Sequence, residues 1–159
     1  MSTAFVGIGS NLAEPARQVQ TAFDELERLP QTRVLRRSSL YRSGPLGYAE
    51  QPDFINAVAQ LETGIAAEQL LSELQEIENR HGRERSFANA PRTLDLDLLL
   101  FENLQTRTAR LTLPHPRMHE RAFVLEPLIE ISPDISIPGK GNARELLKSV
   151  GGQSIERIA

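Results

Sequence analysis

The sequence predicts an α+β fold in which a mainly antiparallel sheet lies between two layers of helices. The main observation is the order of its segments, because stretches that alternate like strands and stretches with a helical period follow one another as β-α-β-β-α-β. That order is the ferredoxin-like one, whose helices cover one face of the sheet. Further helical segments follow, and we expect them to cover the other face in a three-layer α/β/α arrangement. The length of 159 residues predicts a single domain, residues 1–159.

The first three elements are a strand, a helix and a second strand. Residues 3–9, TAFVGIG, are apolar and end at a Gly-Ser-Asn sequence typical of a turn. Residues 14–29 have apolar side chains at helical spacing, with Pro15 in the first turn and Pro30 after the last. Residues 32–43 are the next strand, although their alternation is imperfect.

The second half of the core contains two loops, each of which leads into a strand. Residues 44–53 are rich in Gly and Pro, and residues 54–63 then alternate as a strand. Residues 66–82 form a strongly amphipathic helix that ends at a glycine. Residues 83–91 are the second loop, and residues 93–101 are the last strand of the core.

The C-terminal third predicts the additional elements. A short hairpin through Glu102 and Asn103 is expected to lead to residues 110–116, RLTLPHP. Residues 119–131 and 142–149 are expected to be helices. These helices are the ones that would cover the second face of the sheet.

Two carboxylates interrupt one of the most hydrophobic segments. Asp95 and Asp97 are two residues apart in a strand, so their side chains share one face at a Cα separation of ~7 Å. Two neighbouring carboxylates are costly to bury, because desolvation disfavours the ionised forms and like charges repel. Either each aspartate pairs with an arginine, with Arg92 the obvious partner, or the two hold a pair of Mg²⁺ ions.

Positive charge is concentrated near these aspartates. Of the 18 basic residues, 16 are arginines, which bind phosphate and carboxylate through two hydrogen bonds, although a genome rich in arginine codons would also explain the number. The neighbouring basic residues exceed what two carboxylates require: Arg83, Arg85, Arg92, Arg110, His115 and Arg121. A nucleotide triphosphate with Mg²⁺ would balance this charge. The sequence has no Walker A loop and no protein-kinase signature, and GIGSN lacks the third glycine of a dinucleotide fingerprint.

Composition argues against several other classes of protein. The net charge of −3 and the aromatic content of 5% disfavour an RNA-binding module of the same fold. No apolar run approaches a membrane span, and the N-terminus lacks the pattern of a secretory signal. Without cysteine there is no disulfide or thiolate chemistry. We expect a cytoplasmic monomer that binds small molecules rather than nucleic acid or membrane.

Six sequence blocks together resemble the 6-hydroxymethyl-7,8-dihydropterin pyrophosphokinases, and they cover nearly the whole chain, weakening after about residue 138. They are GSN at 9–11, GPLG at 44–47, QPDFINA at 51–57, PRTLDLDLLLF at 91–101, RLTLPHP at 110–116 and ERAFVLEPL at 120–128. The resemblance implies transfer of pyrophosphate from ATP, as co-substrate, to the hydroxymethyl group of a reduced pterin in folate biosynthesis. The pterin oxygen would attack the β-phosphorus, and AMP would leave.

The resemblance also implies roles for individual residues. Asp95 and Asp97 would be the ligands of two Mg²⁺ ions and, with Arg83 and Arg92, would form the catalytic set. Phe54 and Phe123 would sandwich the pterin ring, whose polar edge would be read by Asn56 and by the backbone around Ser43, Pro45 and Leu46. The residues expected to contact or order ATP are Gln75, Glu78, Arg85, Leu98, Arg110, Thr112, His115 and Arg121. The loops at 44–53 and 83–91 resemble the mobile lids of the family.

Some of these residues have simpler interpretations. Phe54 and Phe123 would ordinarily be core residues, His115 a turn residue between two prolines, and Glu78 a solvated residue at a helix end. The chain also departs from the family before the PRTLDLD block, where it carries Phe87 and Asn89 in place of tryptophan or basic residues. The main alternative function is another two-metal nucleotide phosphotransferase or hydrolase on the same fold.

Overall fold

The protein is described by a computed structural model that covers residues 1–12, 14–44, 52–82 and 93–158. Its main strands and helices alternate along the first two thirds of the chain. They are β1 (Ser2–Ser10), α1 (Pro15–Glu27), β2 (Thr32–Arg37), β3 (Tyr41–Ser43), β4 (Phe54–Thr63), α2 (Ala67–Arg80) and β5 (Asp95–Phe101). The remaining elements are β6 (Thr106–Arg107), β7 (Thr112–Leu113), a 3-10 turn (Met118–Glu120), α3 (Ala122–Ile131), β8 (Ser136–Ile137), β9 (Gly141–Asn142), α4 (Ala143–Lys148) and β10 (Ile155–Arg157).

A six-stranded antiparallel sheet forms the middle layer. The strand order is β10-β3-β4-β1-β5, and β2 also pairs with β4, beyond the end of β3. β1 therefore lies between β4 and β5, as in a ferredoxin-like sheet. This arrangement confirms the predicted fold class.

The two faces of the sheet are buried by different helices, because side chains alternate along each strand. Ala4, Val6 and Ile8 of β1 pack with the apolar sides of α1 and α2. Phe5, between them in sequence, packs with Leu99 and with α3 on the opposite face. The three layers are thus α1 and α2, the sheet, and α3 with α4. No helix among the described residues is long and apolar enough to cross a membrane.

The strand predicted over residues 32–43 is interrupted between β2 and β3. Ser38 stands at the interruption, where its side-chain oxygen accepts the N–H of Val58 at 2.8 Å and its own N–H binds the Val58 carbonyl. The next N–H, of Ser39, is directed away from the sheet to the carboxylate of Glu130. β3 can therefore follow β4 again only from Tyr41 onwards.

The predicted hairpin through Glu102 and Asn103 is wrong in its pairing. The antiparallel hairpin joins β6 to β7 and forms a separate two-stranded sheet. Proline cannot donate to a strand ladder, so Pro114 and Pro116 prevent residues 110–116 from extending as a further strand. Instead the N–H of His115 donates to the carbonyl of Leu99 at 2.9 Å, which brings this segment against β5.

β5 contains an irregularity that the alternation did not predict. Phe5 of β1 faces Leu100, whereas Val6 faces Leu98, so Leu99 is an extra residue in β5. Leu99 and Leu100 both pack in the α3 layer, and Phe101 packs with the α1 and α2 layer. Strict alternation along the strand predicted over residues 93–101 places Leu99 and Phe101 on the face of the aspartates; this is correct for Leu99 and wrong for Phe101, because of the extra residue.

Candidate active site

A row of residues across three strands forms the centre of the candidate site. Gly9 of β1 faces Asn56 of β4 on one side and Asp95 of β5 on the other, and Gly7 faces Asp97. Directly paired residues of antiparallel strands point to the same face, so all of them lie on the face covered by α3. Gly9 has no side chain, which leaves a space between Asn56 and Asp95. A Cβ atom placed there would come within 3.4 Å of the Asn56 Oδ1.

The two aspartates lie at the edge of this space with partly exposed carboxylates. The Asp97 side chain is 31% exposed, while the intervening Leu96 is buried on the opposite face. Two partly solvated carboxylates fit Mg²⁺, which prefers oxygen ligands and retains waters or substrate phosphates as its other ligands. Among the described residues there is no group of three or more His, Cys, Asp or Glu side chains that could hold a metal ion.

His115 is held as a neutral hydrogen-bond donor beside Asp97. Burial lowers the pKa of His115 to about 4, and the positive charge of Arg121 acts in the same direction, although Asp95 opposes both. The Nδ1 atom accepts the N–H of Arg117 at 3.1 Å, so the neutral ring carries its proton on Nε2. Nε2 lies 4.0 Å from Asp97 Oδ1, and this contact is not an ion pair at neutral pH because the ring is uncharged.

Glu78 secures the strand that carries the aspartates. It is 3% exposed, and its Oε2 accepts the N–H of Leu96 at 2.7 Å, between Asp95 and Asp97. The interpretation of Glu78 as a solvated residue is therefore wrong. Gln75, one helical turn earlier on α2, is exposed.

The other described residues predicted to contact ATP are distributed around this edge. Arg110 is exposed and its guanidinium donates to Ser72 on α2, while Thr112 is half-buried in β7. The side chain of Leu98 is buried in the α1 and α2 layer, so its backbone is the part that a nucleotide could contact. The structure thus places Arg110 near the exposed side of α2, where Gln75 also lies.

On the other side of Gly9, polar and aromatic residues form a second part of the site. Asn56 is 3% exposed, and its Nδ2 donates to Ser43 Oγ at 2.7 Å, which leaves Oδ1 facing the space above Gly9. Phe54 is half-buried beside the same space. Phe123, in the first turn of α3, is also half-buried, and the Arg121 guanidinium lies 5.5 Å from the centre of its ring. An amide beside an aromatic ring can bind the edge of a flat polar heterocycle.

Several predicted site residues lie outside the part of the chain that the structure describes. These are Pro45, Leu46, Arg83, Arg85 and Arg92, together with the two departures from the family pattern, Phe87 and Asn89.

The side chains of the Gly-Ser-Asn turn hold the site together in a way that the sequence pattern does not predict. Ser10 and Asn11 are buried, and each binds the chain just before another strand of the site. Ser10 Oγ donates to the carbonyl of Thr93, and Asn11 Nδ2 donates to the carbonyl of Pro52 at 3.3 Å. The signal in the sequence is that two polar residues follow an apolar strand directly, in a block that resembles the family, but neither feature indicates which atoms these side chains bind.

The fold is similar to that of solved HPPK-DHPS proteins. A Plasmodium falciparum HPPK-DHPS triple mutant with STZ-DHP superposes with a TM-score of 0.75 at 13% identity and covers 93% of this chain. An HPPK-DHPS in complex with substrates gives a TM-score of 0.73, also at 13% identity and 93% coverage. The chain spans 43% of each of those proteins. At this identity the similarity shows the fold alone.

Sequence similarity to curated proteins is much higher. A Pseudomonas aeruginosa 2-amino-4-hydroxy-6-hydroxymethyldihydropteridine pyrophosphokinase is 49% identical over 154 residues, which cover 97% of this chain and 95% of that protein. A Haemophilus influenzae protein of the same name is 45% identical over 158 residues, 99% of each chain. The sequence model of the family described as 7,8-dihydro-6-hydroxymethylpterin-pyrophosphokinase (HPPK) matches residues 5–133. The chain belongs to this HPPK family.

Proposed function

We propose that this protein transfers pyrophosphate from ATP to the hydroxymethyl group of 6-hydroxymethyl-7,8-dihydropterin, giving AMP and the pterin diphosphate in folate biosynthesis. The observation that carries the proposal is the row Asn56, Gly9 and Asp95 across three paired strands. In this row, an amide that can hydrogen-bond to a heterocycle and a carboxylate that can bind a cation lie on either side of Gly9, which has no side chain.

The pterin ring would lie above Gly9, with its polar edge on Asn56 and its faces against Phe54 and Phe123. Asn56 suits this role because its Nδ2 is already used by Ser43, which orients Oδ1 towards the space. An acceptor fixed in this way selects an N–H edge of the ligand, because a buried amide oxygen left unpaired would cost binding energy. Backbone of residues 43–46 would complete the contacts.

Asp95 and Asp97 would hold two Mg²⁺ ions at the edge nearest the ring. The metal ions would neutralise charge that develops on the transferred group and leaving group. The protein contributes two oxygen ligands on one face of a strand, and Glu78 keeps that strand in place through Leu96. We infer that ATP phosphates and water supply the remaining coordination.

The nucleotide would be bound by the residues that surround the aspartates. His115 would donate from Nε2 to a phosphate oxygen, because its Nδ1 is occupied by the Arg117 N–H. Arg110 and Arg121 would add positive charge, Thr112 a hydroxyl and Leu98 its backbone. Gln75 and Glu78 would contribute from α2, and Arg83, Arg85 and Arg92 from the segment outside the described residues. Positioning and charge neutralisation would then supply most of the rate.

We also propose that the protein acts as a cytoplasmic monomer of one domain whose ligands are small molecules. A two-metal nucleotide hydrolase on the same fold is the competing function. It would share the aspartates and the basic residues, but it would have no use for the fixed acceptor of Asn56 beside Phe54.

The test is product analysis of the purified protein with ATP, Mg²⁺ and 6-hydroxymethyl-7,8-dihydropterin. The proposal predicts AMP and pterin diphosphate in equal amounts, and no AMP when the pterin is omitted. Asp97→Asn should lose this activity, whereas Asp134→Asn, the same change at an exposed ion pair with Arg144, should retain it. Release of ADP or phosphate without the pterin would instead support the hydrolase.

A further inference from the structure

The start of α3 is held by a side chain from the C-terminal segment. The Gln153 Oε1 accepts the N–H of Ala122 at 2.9 Å, and its Nε2 donates to the carbonyl of Glu120 at 2.7 Å. The first N–H groups of a helix have no partner within the helix, and the side chain of Arg121 does not cap this one. One amide therefore binds the backbone on both sides of Arg121.

The residues fixed in this way belong to the candidate site. Arg121 places its guanidinium over the ring of Phe123 and lowers the pKa of His115. Phe123 is the second residue of α3, so the direction of its ring depends on how the helix begins. A small rotation of this turn would move Arg121 and Phe123 together.

The same C-terminal segment also supports the opposite side of the site. After Gln153, the chain enters β10, where Ile155 pairs with Ser43 of β3. Ser43 in turn accepts the hydrogen bond that orients Asn56. The N–H of Ile158 adds a hydrogen bond of 2.9 Å to the carbonyl of Leu40, just before β3. Residues 153–158 thus connect the Phe123 side to the Asn56 side.

We propose that Gln153 is a positioning residue for the pterin pocket: it sets the turn that carries Arg121 and Phe123, and it does so without touching either substrate. This inference rests on the proposed function, because it takes the pterin to bind between Phe123 and Asn56. Its effect acts through the backbone of Glu120 and Ala122, since both of its hydrogen bonds are made to main-chain atoms.

The test compares Gln153→Met with a matched control. Methionine has a similar length but cannot replace either hydrogen bond. Asn142→Ala is the control, because Asn142 caps α4 by accepting the N–H of Glu145 at 3.2 Å and lies outside the site. Both variants lose a helix cap, so a purely structural role would lower the melting temperature of both and leave the kinetics unchanged.

Steady-state kinetics well below the melting temperature are the first measurement. We expect Gln153→Met to raise the KM for the pterin about five- to tenfold, because displaced binding groups weaken affinity. Asn142→Ala should leave it unchanged. Gln153→Glu keeps an acceptor for the Ala122 N–H but not the donor for Glu120, and it should give an intermediate value. A wild-type pterin KM in Gln153→Met would overturn the inference.

Hydrogen exchange on the same proteins without substrate is the second measurement. Amides at the start of α3 should exchange about tenfold faster in Gln153→Met, while those of α4 should not change. Unchanged exchange at α3 would show that Gln153 does not hold this turn and would also overturn the inference. If the wild-type protein releases no AMP in the presence of the pterin, the proposed function is refuted, and with it the claim that Gln153 positions a pterin pocket. Hydrogen exchange would still decide whether Gln153 holds the start of α3.

Discussion

Glu130, near the end of α3, provides the prediction that the structure supports in most detail. Its carboxylate accepts the phenol of Tyr41 at 2.7 Å, the N–H of Ser39 at 2.9 Å and the hydroxyl of Ser39 at 2.9 Å. Arg157 of β10 lies 3.8 Å from the same carboxylate. The C-terminal end of α3 therefore binds both the interruption between β2 and β3 and the C-terminal strand.

Glu130→Gln keeps the size of the side chain but leaves one oxygen to accept hydrogen bonds in place of two. Hydrogen bonds to a charged group contribute roughly 1.5–3 kcal/mol each, so losing the charge and part of three such bonds would cost several kcal/mol in a dry site. The Glu130 side chain is 24% exposed, which lets water replace part of the loss. We expect the free energy of unfolding to fall by about 2–3 kcal/mol at pH 7.

The loss should depend on pH in a direction that follows from the pKa of Glu130. Burial would raise this pKa, but hydrogen bonds from Ser39 and Tyr41 and the charge of Arg157 bring it below its usual value. The folded pKa is thus lower than the unfolded one. The stabilisation is fully present above the unfolded pKa and is lost as the pH falls through the folded pKa. The difference between wild type and Glu130→Gln should therefore shrink below about pH 4.

Urea denaturation followed by circular dichroism at pH 7, 5 and 3.5 measures this difference. Glu145→Gln is the control, because Glu145 is an exposed carboxylate paired with Lys148 and should contribute about 0.5 kcal/mol or less. A loss below about 1 kcal/mol at pH 7, or a loss that does not change with pH, would refute the assignment of the Glu130 carboxylate as the charged acceptor of this network.

Three further predictions concern the site itself. Asp97→Asn should reduce AMP release by more than about 100-fold, because a neutral amide is a much weaker Mg²⁺ ligand than a carboxylate; retained turnover would exclude the two-metal site. Gly9→Val should raise the KM for the pterin about tenfold by filling the space beside Asn56. Gly9→Ala should have a smaller effect, because its Cβ makes ordinary contacts. A KM for Gly9→Val equal to that of the wild type would show that the ring binds elsewhere. Glu78→Ala should lower the free energy of unfolding by about 1–3 kcal/mol in urea titrations, since the buried N–H of Leu96 loses its acceptor, and an unchanged midpoint would show that β5 does not depend on it.

Alternation along the strands predicted correctly which face of the sheet each side chain occupies, wherever the strand pairing is regular. It placed Asp95 and Asp97 on one face and Leu96 and Leu98 on the other, as the structure does. It failed at Phe101, because the extra residue in β5 is set by the pairing with β1 and leaves no sign in the local pattern.

Long-range hydrogen bonds explain the other main difference. The sequence of residues 32–43 resembles one imperfect strand, yet the N–H of Ser39 leaves the sheet for Glu130, which is 91 residues away in sequence. A donor and acceptor so far apart cannot be matched without the fold. The same holds for Gln153, whose two partners are backbone atoms and therefore have no residue signature at all.

The candidate site shows why its residues were visible in the sequence while its shape was not. A glycine within a strand costs about 0.5–1 kcal/mol relative to alanine, and asparagine and aspartate are disfavoured in strands as well. Gly9, Asn56, Asp95 and Asp97 each break such a local rule. Asn56 and the two aspartates were predicted at the site, whereas Gly9 was predicted only as part of the turn that ends its strand. They lie on three different strands, however, and only the register of β1 against β4 and β5 brings Asn56 and Asp95 to either side of Gly9. Because residues that violate local preferences tend to occur at functional sites, the coincidence of four such residues on one face is stronger support for an active site than any one of them in the sequence.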